Sequence, residues 1–172
     1  GVSLAAARCA ANSTNQPVYK YLNPKANTLP IPFSNIINGG KHAGNALEMQ
    51  EFMIAPIKAK NFGMATQMVA ETYQELKEII KNKFGKDAVN VGDEGGFSPP
   101  IIKPQEALDI IETAISKAGY DKKIKIAMDP AASEYYKDEL YKPAGKSLTP
   151  DETMYFYEDL VKNYPIISIE DP

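Results

Sequence analysis

Three segments of this chain have the composition of short buried strands, and each carries a carboxylate at its end. The segments are AVNVGDEGG (88–96), IKIAMDPAAS (124–133) and IISIEDP (166–172). The acids at their ends, Glu94, Asp129 and Glu170, are 35 and 41 residues apart. Because that spacing is the length of one strand–helix unit, it predicts an α/β protein in which strands alternate with helices.

Helical patterns fill the intervals between these segments. The stretch PQEALDIIETAISKAG (104–119) has a proline near its start and a glycine after its end. Its predicted buried face carries Leu108, Ile111 and Ile115. A second helix is predicted to begin at the capping box Thr149–Glu152 and to stop before Pro165. This alternation predicts a parallel sheet, either open or closed into a barrel.

The first half of the chain predicts two further strands and two further helices. Residues 2–12 are rich in alanine and favour a helix. Strands are predicted within TLPIPFSNIINGG (28–40) and over LEMQEFMIAP (47–56). The second helix is indicated by apolar residues that recur with helical spacing, namely Val69, Tyr73, Leu76 and Ile80.

The three acids at the strand ends indicate a functional site. In a parallel α/β fold the carboxyl ends of the strands lie at one edge, so we expect Glu94, Asp129 and Glu170 to converge. Converging carboxylates repel one another unless a cation or shared protons neutralise them. Oxygen ligands without a nearby Cys or His favour a hard cation such as Mg²⁺ over zinc. The alternative is that each acid caps the helix that follows it.

Two positions upstream are further candidates for such a site. His42 is the only histidine and lies in the glycine-rich loop GGKHAGN, where a surface role and a catalytic role both stay open. This loop lacks the spacing of a phosphate-binding P-loop. Gln50 and Glu51 lie on the second predicted strand. A buried glutamate there needs a partner, and another carboxylate that shares a proton is one option.

Composition excludes several classes of protein. A net charge of −3 gives no electrostatic reason to expect nucleic acid or an acidic membrane as a partner. No apolar run approaches the ~20 residues that cross a bilayer. The single cysteine, Cys9, excludes an internal disulfide and fits a reducing compartment, so we expect a cytoplasmic protein. The start, GVSLAAARCAAN, has neither an initiating Met nor a secretory signal, so we expect a longer parent chain.

Five segments together resemble one family. In order and spacing, the chain is similar to enolase (phosphopyruvate hydratase) in NGGKHAGN, LEMQEFMIAP, VNVGDEGGF, AMDPAASEYYKD and YPIISIEDP. The resemblance covers the whole chain and implies a partial enolase-type TIM (β/α)8 barrel, with roughly the first five strands and their helices. A complete barrel typically needs about 250 residues. Residues 1–24 are then a helix and linker leading into the barrel, and residues 25–172 are an incomplete catalytic domain.

The resemblance also implies a reaction and roles for particular residues. Enolases interconvert 2-phospho-D-glycerate and phosphoenolpyruvate plus water with two Mg²⁺ ions. Glu94 matches the general acid that assists departure of the 3-hydroxyl, and Glu51 matches the carboxylate paired with it. His42, on a mobile loop, and Gln50 match substrate-site residues, as do Glu51 and Glu170. Asp129 and Glu170 match two of the three carboxylates that hold the first Mg²⁺.

Other parts of the enolase site lie, by the same resemblance, on later strands. These are the third metal carboxylate, the base lysine and a second lysine, so the isolated chain is expected to be inactive and the full-length protein active. The full-length protein is expected to be a homo-oligomer, a dimer or an octamer. One alternative is a non-catalytic enolase-like fragment that self-associates or binds through open sheet edges. Another is an unrelated α/β domain with acidic strand ends.

Overall fold

The computed structural model describes the backbone of residues 1–172 and every side chain except that of His42. The chain forms two compact units, Gly1–Pro30 and Ile31–Pro172. The first contains α1 (Val2–Ser13) and α2 (Val18–Leu22), which confirms the helix predicted over residues 2–12. No helix of the described chain is both long enough and apolar enough to cross a membrane.

The second unit contains three long helices, a four-stranded sheet and a small hairpin. In chain order these elements are β1 (Ser34–Asn38), β2 (Glu51–Ala55), α3 (Phe62–Phe84), α4 (Pro104–Lys117), β3 (Lys125–Asp129), β4 (Tyr136–Lys137), β5 (Leu140–Tyr141), α5 (Pro150–Asn163) and β6 (Ile166–Ile169). The sheet has the order β1-β2-β3-β6, and β4 pairs with β5 in the hairpin. The mixed helix and strand content is that of the predicted α/β class.

The prediction of a parallel sheet is wrong for two of its three strand pairs. β1 pairs with β2 and β2 pairs with β3 in antiparallel fashion, and only β3 and β6 are parallel. The connections explain this difference. One helix, α5, returns the chain between β3 and β6, as a parallel crossover requires. No long helix lies between β1 and β2, and two helices lie between β2 and β3, so in both cases the next strand runs the opposite way.

The strand predicted over AVNVGDEGG does not form, so Glu94 does not end a strand. Residues 91–97 instead make a turn, closed by a bridge between Val91 and Phe97 and by a 2.7 Å hydrogen bond from the Gly92 N–H to the Gly96 carbonyl. Glycine explains the difference, because Gly95 adopts a φ of +85°, which a glycine adopts without strain. We call residues 91–97 the Glu94 turn.

The three long helices follow the sequence patterns closely. Leu76 and Ile80 are buried on α3, whereas Val69 and Tyr73 are half-buried beside them. Leu108, Ile111 and Ile115 are all buried on α4, as predicted. α5 begins with the predicted capping box: the Glu152 N–H donates to Thr149 Oγ1, and the Thr149 N–H donates to Glu152 Oε2.

The core lies between one face of the sheet and the long helices. Successive residues of a strand point to opposite faces, so β2 and β3 each have two kinds of position. On the helix-facing side the side chains are fully buried and apolar, namely Phe52, Ile54, Ile126 and Met128. The alternate positions are Glu51, Met53, Ala127 and Asp129. We call the first set the core face and the second set the polar-ended face.

Candidate active site at the carboxylate-bearing edge of the sheet

Two carboxylates meet where β2 begins and β3 ends. Glu51 is the register partner of Asp129 across the antiparallel pair, and on its other side it is the partner of Asn38 at the end of β1. Residues directly opposite in a sheet share a face, so the Glu51 and Asp129 side chains lie side by side. The antiparallel direction of β2 therefore brings the start of one strand to the same edge as the carboxyl end of another.

The third carboxylate reaches this edge from the Glu94 turn. The Phe97 N–H donates to the Ile36 carbonyl and the Asn38 N–H donates to the Phe97 carbonyl, both at 2.9 Å, so the turn is fastened to β1. Gly96 permits the close approach, because a Cβ at that position would lie 2.3 Å from Asn38 Oδ1. The Glu94 turn thus acts as an extra segment along the β1 edge.

Glu51 and Glu94 form a hydrogen-bonded carboxyl pair. Burial is the largest cause that raises the pKa of Glu51, followed by its hydrogen bond to Glu94 and by the charges of Glu94 and Asp129. A hydrogen bond from Gln50 acts in the opposite direction, and the resulting pKa of Glu51 is about 7. Two carboxyl groups in contact share a proton because both cannot ionise cheaply. The pair therefore carries an exchangeable proton near neutral pH.

An asparagine that the sequence patterns did not indicate contacts this pair. Asn35 Nδ2 donates a 2.9 Å hydrogen bond to Glu94 Oε2. The two residues are 59 positions apart in the chain. Asparagine on a predicted strand gives no signal of its own, so only the folded arrangement of β1 and the Glu94 turn reveals the contact.

Asp129 and Glu170 lie next to each other along the sheet. The Glu170 N–H donates to the Met128 carbonyl at 3.0 Å, which extends the β3–β6 pairing to the residue after β6. Asp129 Oδ1 accepts a 3.0 Å hydrogen bond from the Ala131 N–H, which orients that carboxylate. No three His, Cys, Asp or Glu residues come together as a metal site among the side chains that are described.

The two acids nevertheless fit a hard divalent cation. Mg²⁺ is typically held by one or two carboxylates, with water and substrate oxygens completing the octahedron. Asp129 and Glu170 supply carboxylate oxygens of that kind at adjacent positions on one edge.

The loop that joins β1 to β2 lies beside these groups. The side chain of Gln50, at the end of this loop, hydrogen-bonds to Glu51. Asn45 Nδ2 donates to the carbonyls of Asn38 and Pro99, both at 3.0 Å, and so ties the loop to β1 and to the segment after the Glu94 turn. The side chain of His42 lies outside the described part of the structure.

A cavity of about 500 Å³ separates the loop from the Glu94 turn. Most of its lining is polar and comes from the loop, from the Glu94 turn and from the residues that flank the turn, including Lys41, Asn90, Asp93 and Ser98. Another cavity, of about 780 Å³, lies elsewhere, against α5 and β6. It is mainly apolar and none of the candidate carboxylates lines it, so it does not mark the candidate site.

Of the residues selected from the sequence, the structure brings Gln50, Glu51, Glu94 and Asp129 together, and it places Glu170 beside Asp129. Asp171, the acid after Glu170, contacts the segment after β3. It accepts a 2.7 Å hydrogen bond from Ser133 Oγ and so fixes the segment after β3.

Comparison with known proteins points to one family. The sequence family "Enolase, C-terminal TIM barrel domain" matches residues 26–172. The chain is 51% identical to the enolases of Methanococcus vannielii and Methanocaldococcus jannaschii, and 49% identical to that of Methanococcus maripaludis. Each match covers 99% of this chain but only 41% of the relative. The chain thus spans less than half the length of these curated relatives.

Proposed function

The chain belongs to the enolase family, and from that premise we propose that the protein containing it interconverts 2-phospho-D-glycerate and phosphoenolpyruvate plus water. The observation that carries the proposal is the Glu51–Glu94 carboxyl pair, beside Asp129 and next to Glu170 at one edge of the sheet. Family membership alone implies a lyase that uses a divalent metal. The carboxyl pair adds a proton donor of the right type for the elimination of a hydroxyl group.

The proton chemistry follows from the pair. Hydroxide is a poor leaving group, so its departure needs a general acid. Glu94 is the proposed donor to the 3-hydroxyl, and Glu51 is the partner with which it shares the proton. At its pKa of about 7, Glu51 still holds a proton in about half of the molecules at neutral pH, whereas an isolated carboxylate would be ionised. In the hydration direction the same pair accepts a proton from water.

Asp129 and Glu170 are the proposed residues of this chain that hold Mg²⁺. When bound, the cation neutralises the carboxylates around it and stabilises the negative charge that develops on the substrate carboxylate. Gln50, His42, Glu51 and Glu170 are the proposed substrate contacts. Without the cation, Glu51 and Asp129 face each other as two acids, which is consistent with the raised pKa of Glu51.

The proposal extends to the whole protein. Full-length enolases carry further site residues on later strands, so the 172-residue chain by itself is expected not to turn over substrate. The full-length protein is proposed to be a cytoplasmic homo-oligomer, a dimer or an octamer.

The decisive experiment measures phosphoenolpyruvate formation by the full-length protein in Mg²⁺. Replacing Glu94 or Glu51 with Gln removes the shared proton, so kcat should fall by about 10²- to 10⁴-fold. Glu78→Gln is the matched control, because Glu78 is an exposed acid on α3. Wild-type protein without activity, or a Glu94→Gln variant with unchanged kcat, would refute the proposed function.

One observation favours a second function for the isolated chain, namely self-association. β6 is paired on one side only within the described sheet, and the face formed by α5 and β6 exposes Met154, Val161 and Ile167 to about half of their surface. An open strand edge beside apolar surface favours pairing with another copy. Size-exclusion chromatography of the 172-residue chain distinguishes a monomer from a self-associated form. A folded monomer at high concentration would exclude self-association.

A further inference from the structure

The contact between Asn35 and Glu94 has a direction that the chemistry of the two groups dictates. An ionised carboxylate only accepts hydrogen bonds, whereas a carboxamide both donates and accepts. Asn35 Nδ2 faces Glu94 Oε2 at 2.9 Å, and the buried Asn35 Oδ1 has no hydrogen-bond partner among the described side chains. With the proton of the pair shared between Glu94 and Glu51, and Oε2 itself unprotonated, reversing the amide would place two acceptors against each other, so Asn35 acts here as a donor.

The backbone fixes Asn35 much more firmly than it fixes Glu94. Asn35 lies within β1 opposite Met53, which is two residues after Glu51 and on the same face. A bulge follows at once, because the register shifts between Asn35 and Ile37. Bulges redirect side chains and are frequent beside active sites.

Glu94, in contrast, lies in a turn rich in glycine and is exposed. The turn is fastened to β1 through Phe97, which positions its backbone but leaves the long Glu94 side chain several rotatable bonds. The hydrogen bond from Asn35, which lies on a strand, restricts these rotations because it holds one of the two Glu94 carboxylate oxygens. The carboxyl group is thereby held at the position where it contacts Glu51.

We propose that Asn35 is a positioning residue that holds the Glu94 carboxyl group against Glu51 in the orientation for proton delivery. This role rests on the proposed function, since it matters only if Glu94 delivers a proton to substrate. Asn35 acts through Glu94, so it should affect the chemical step more than it affects substrate binding.

The test compares three substitutions in the full-length protein. Asn35→Asp has the same shape but puts an acceptor against Glu94, so kcat should fall by about 10²-fold while KM changes less than about threefold. Asn35→Leu removes the donor without adding charge, and kcat should fall by about 10-fold. Asn35→Gln keeps a carboxamide donor on a longer stem, and it should recover kcat to within a few-fold of wild type.

Two controls separate this role from a general structural one. Asn82→Asp adds the same charge at an exposed position of α3 and should leave kcat unchanged. Melting temperatures of all variants identify any loss of folding. A direct readout of the contact is the side-chain amide resonance of Asn35 in the 172-residue chain, which should shift when Glu94 is replaced by Gln.

The outcomes divide clearly. If wild-type protein is active and Glu94→Gln is impaired but Asn35→Asp keeps full kcat, the positioning role is wrong and the proposed function stands. If Asn35→Gln is as impaired as Asn35→Leu, or if the loss appears in KM instead of kcat, the positioning role is also wrong. If wild-type protein has no activity at all, the proposed function fails, and the positioning role fails with it.

Discussion

The two faces of the β2–β3 pair use the same backbone for different purposes. On the core face, Phe52 and Met128 are opposite each other and fully buried against the helices. One residue away, on the polar-ended face, Glu51 and Asp129 are also opposite each other, but they are two acids whose charges repel. The first pair contributes to stability through apolar burial, and the second lowers stability through charge repulsion and desolvation. Because successive side chains of a strand point to opposite faces, the acids that destabilise the fold lie directly beside the apolar residues whose burial compensates for them.

The largest expected effect on stability comes from a substitution on the core face. Phe52→Ala should lower the free energy of unfolding by about 3–5 kcal/mol, because it removes a fully buried aromatic ring and leaves a cavity. Met53→Ala, the next residue on the polar-ended face, is the matched control and should cost clearly less, since Met53 is only half-buried. Urea denaturation of the 172-residue chain measures both. Equal losses for the two variants would show that the faces do not differ in this way.

A second substitution tests the polar-ended face as a metal site. Asp129→Asn should weaken Mg²⁺ binding to the full-length protein by at least about tenfold, or about 1.4 kcal/mol, in a calorimetric titration. In metal-free buffer the same variant should be as stable as wild type or more so, because it removes a charge that faces Glu51. Asp121→Asn, at an exposed turn before β3, is the control and should leave both measurements unchanged. Unaltered Mg²⁺ affinity in Asp129→Asn would contradict the assignment.

The pH dependence of stability sharpens the comparison further. The folded state raises the pKa of Glu51 from 4.5 to about 7, so between these values the folded chain binds more protons than the unfolded chain. The stabilisation from this group is therefore complete below pH 4.5 and is lost as pH rises through 7. After solvent screening is taken into account, the metal-free chain should be about 1–2 kcal/mol more stable at pH 5 than at pH 8 on account of Glu51.

Glu51→Gln provides the control for this pH effect. The acids with lowered pKa values, Glu71 and Glu152, lose their contribution only as pH falls below the ordinary range of a carboxyl group, outside this window. The difference in stability between pH 5 and pH 8 should therefore shrink in Glu51→Gln. A difference that stays the same would mean that Glu51 is not the titrating group.

The smallest expected effect on stability concerns an ion pair between Lys41, in the loop after β1, and Glu134, after β3, which we call the rim. Both side chains are largely exposed. Exposed pairs contribute little because water screens them, so Lys41→Ala should change the free energy of unfolding by less than about 0.5 kcal/mol. A double-mutant cycle with Glu134→Ala isolates the pair. A coupling energy above 1 kcal/mol would show that the rim contributes to stability as the core face does.

Local sequence patterns predicted the helices well. The boundaries of α4 and α5, the capping box at Thr149 and the buried residues of α4 all follow from periodicity and end signals. The error at Glu94 has a local cause too, since apolar residues near AVNVGDEGG indicated a strand while its glycines favour a turn. Chain direction was harder to predict, because it depends on how many helices separate two strands and not on the strands themselves.

The sequence by itself determined which segments are helical and which residues of α4 are buried, and it predicted that acids gather at one edge of the sheet, because these depend on residue periodicity and near neighbours. The quoted motifs also indicated the family. Only the tertiary structure decided that β2 runs antiparallel, so that Glu51 meets Asp129, and that Glu94 reaches Glu51 from a turn. It likewise revealed Asn35 beside Glu94. Contacts of this kind join residues far apart in the chain, and their geometry is set by strand register and by how the turn is fastened to the sheet.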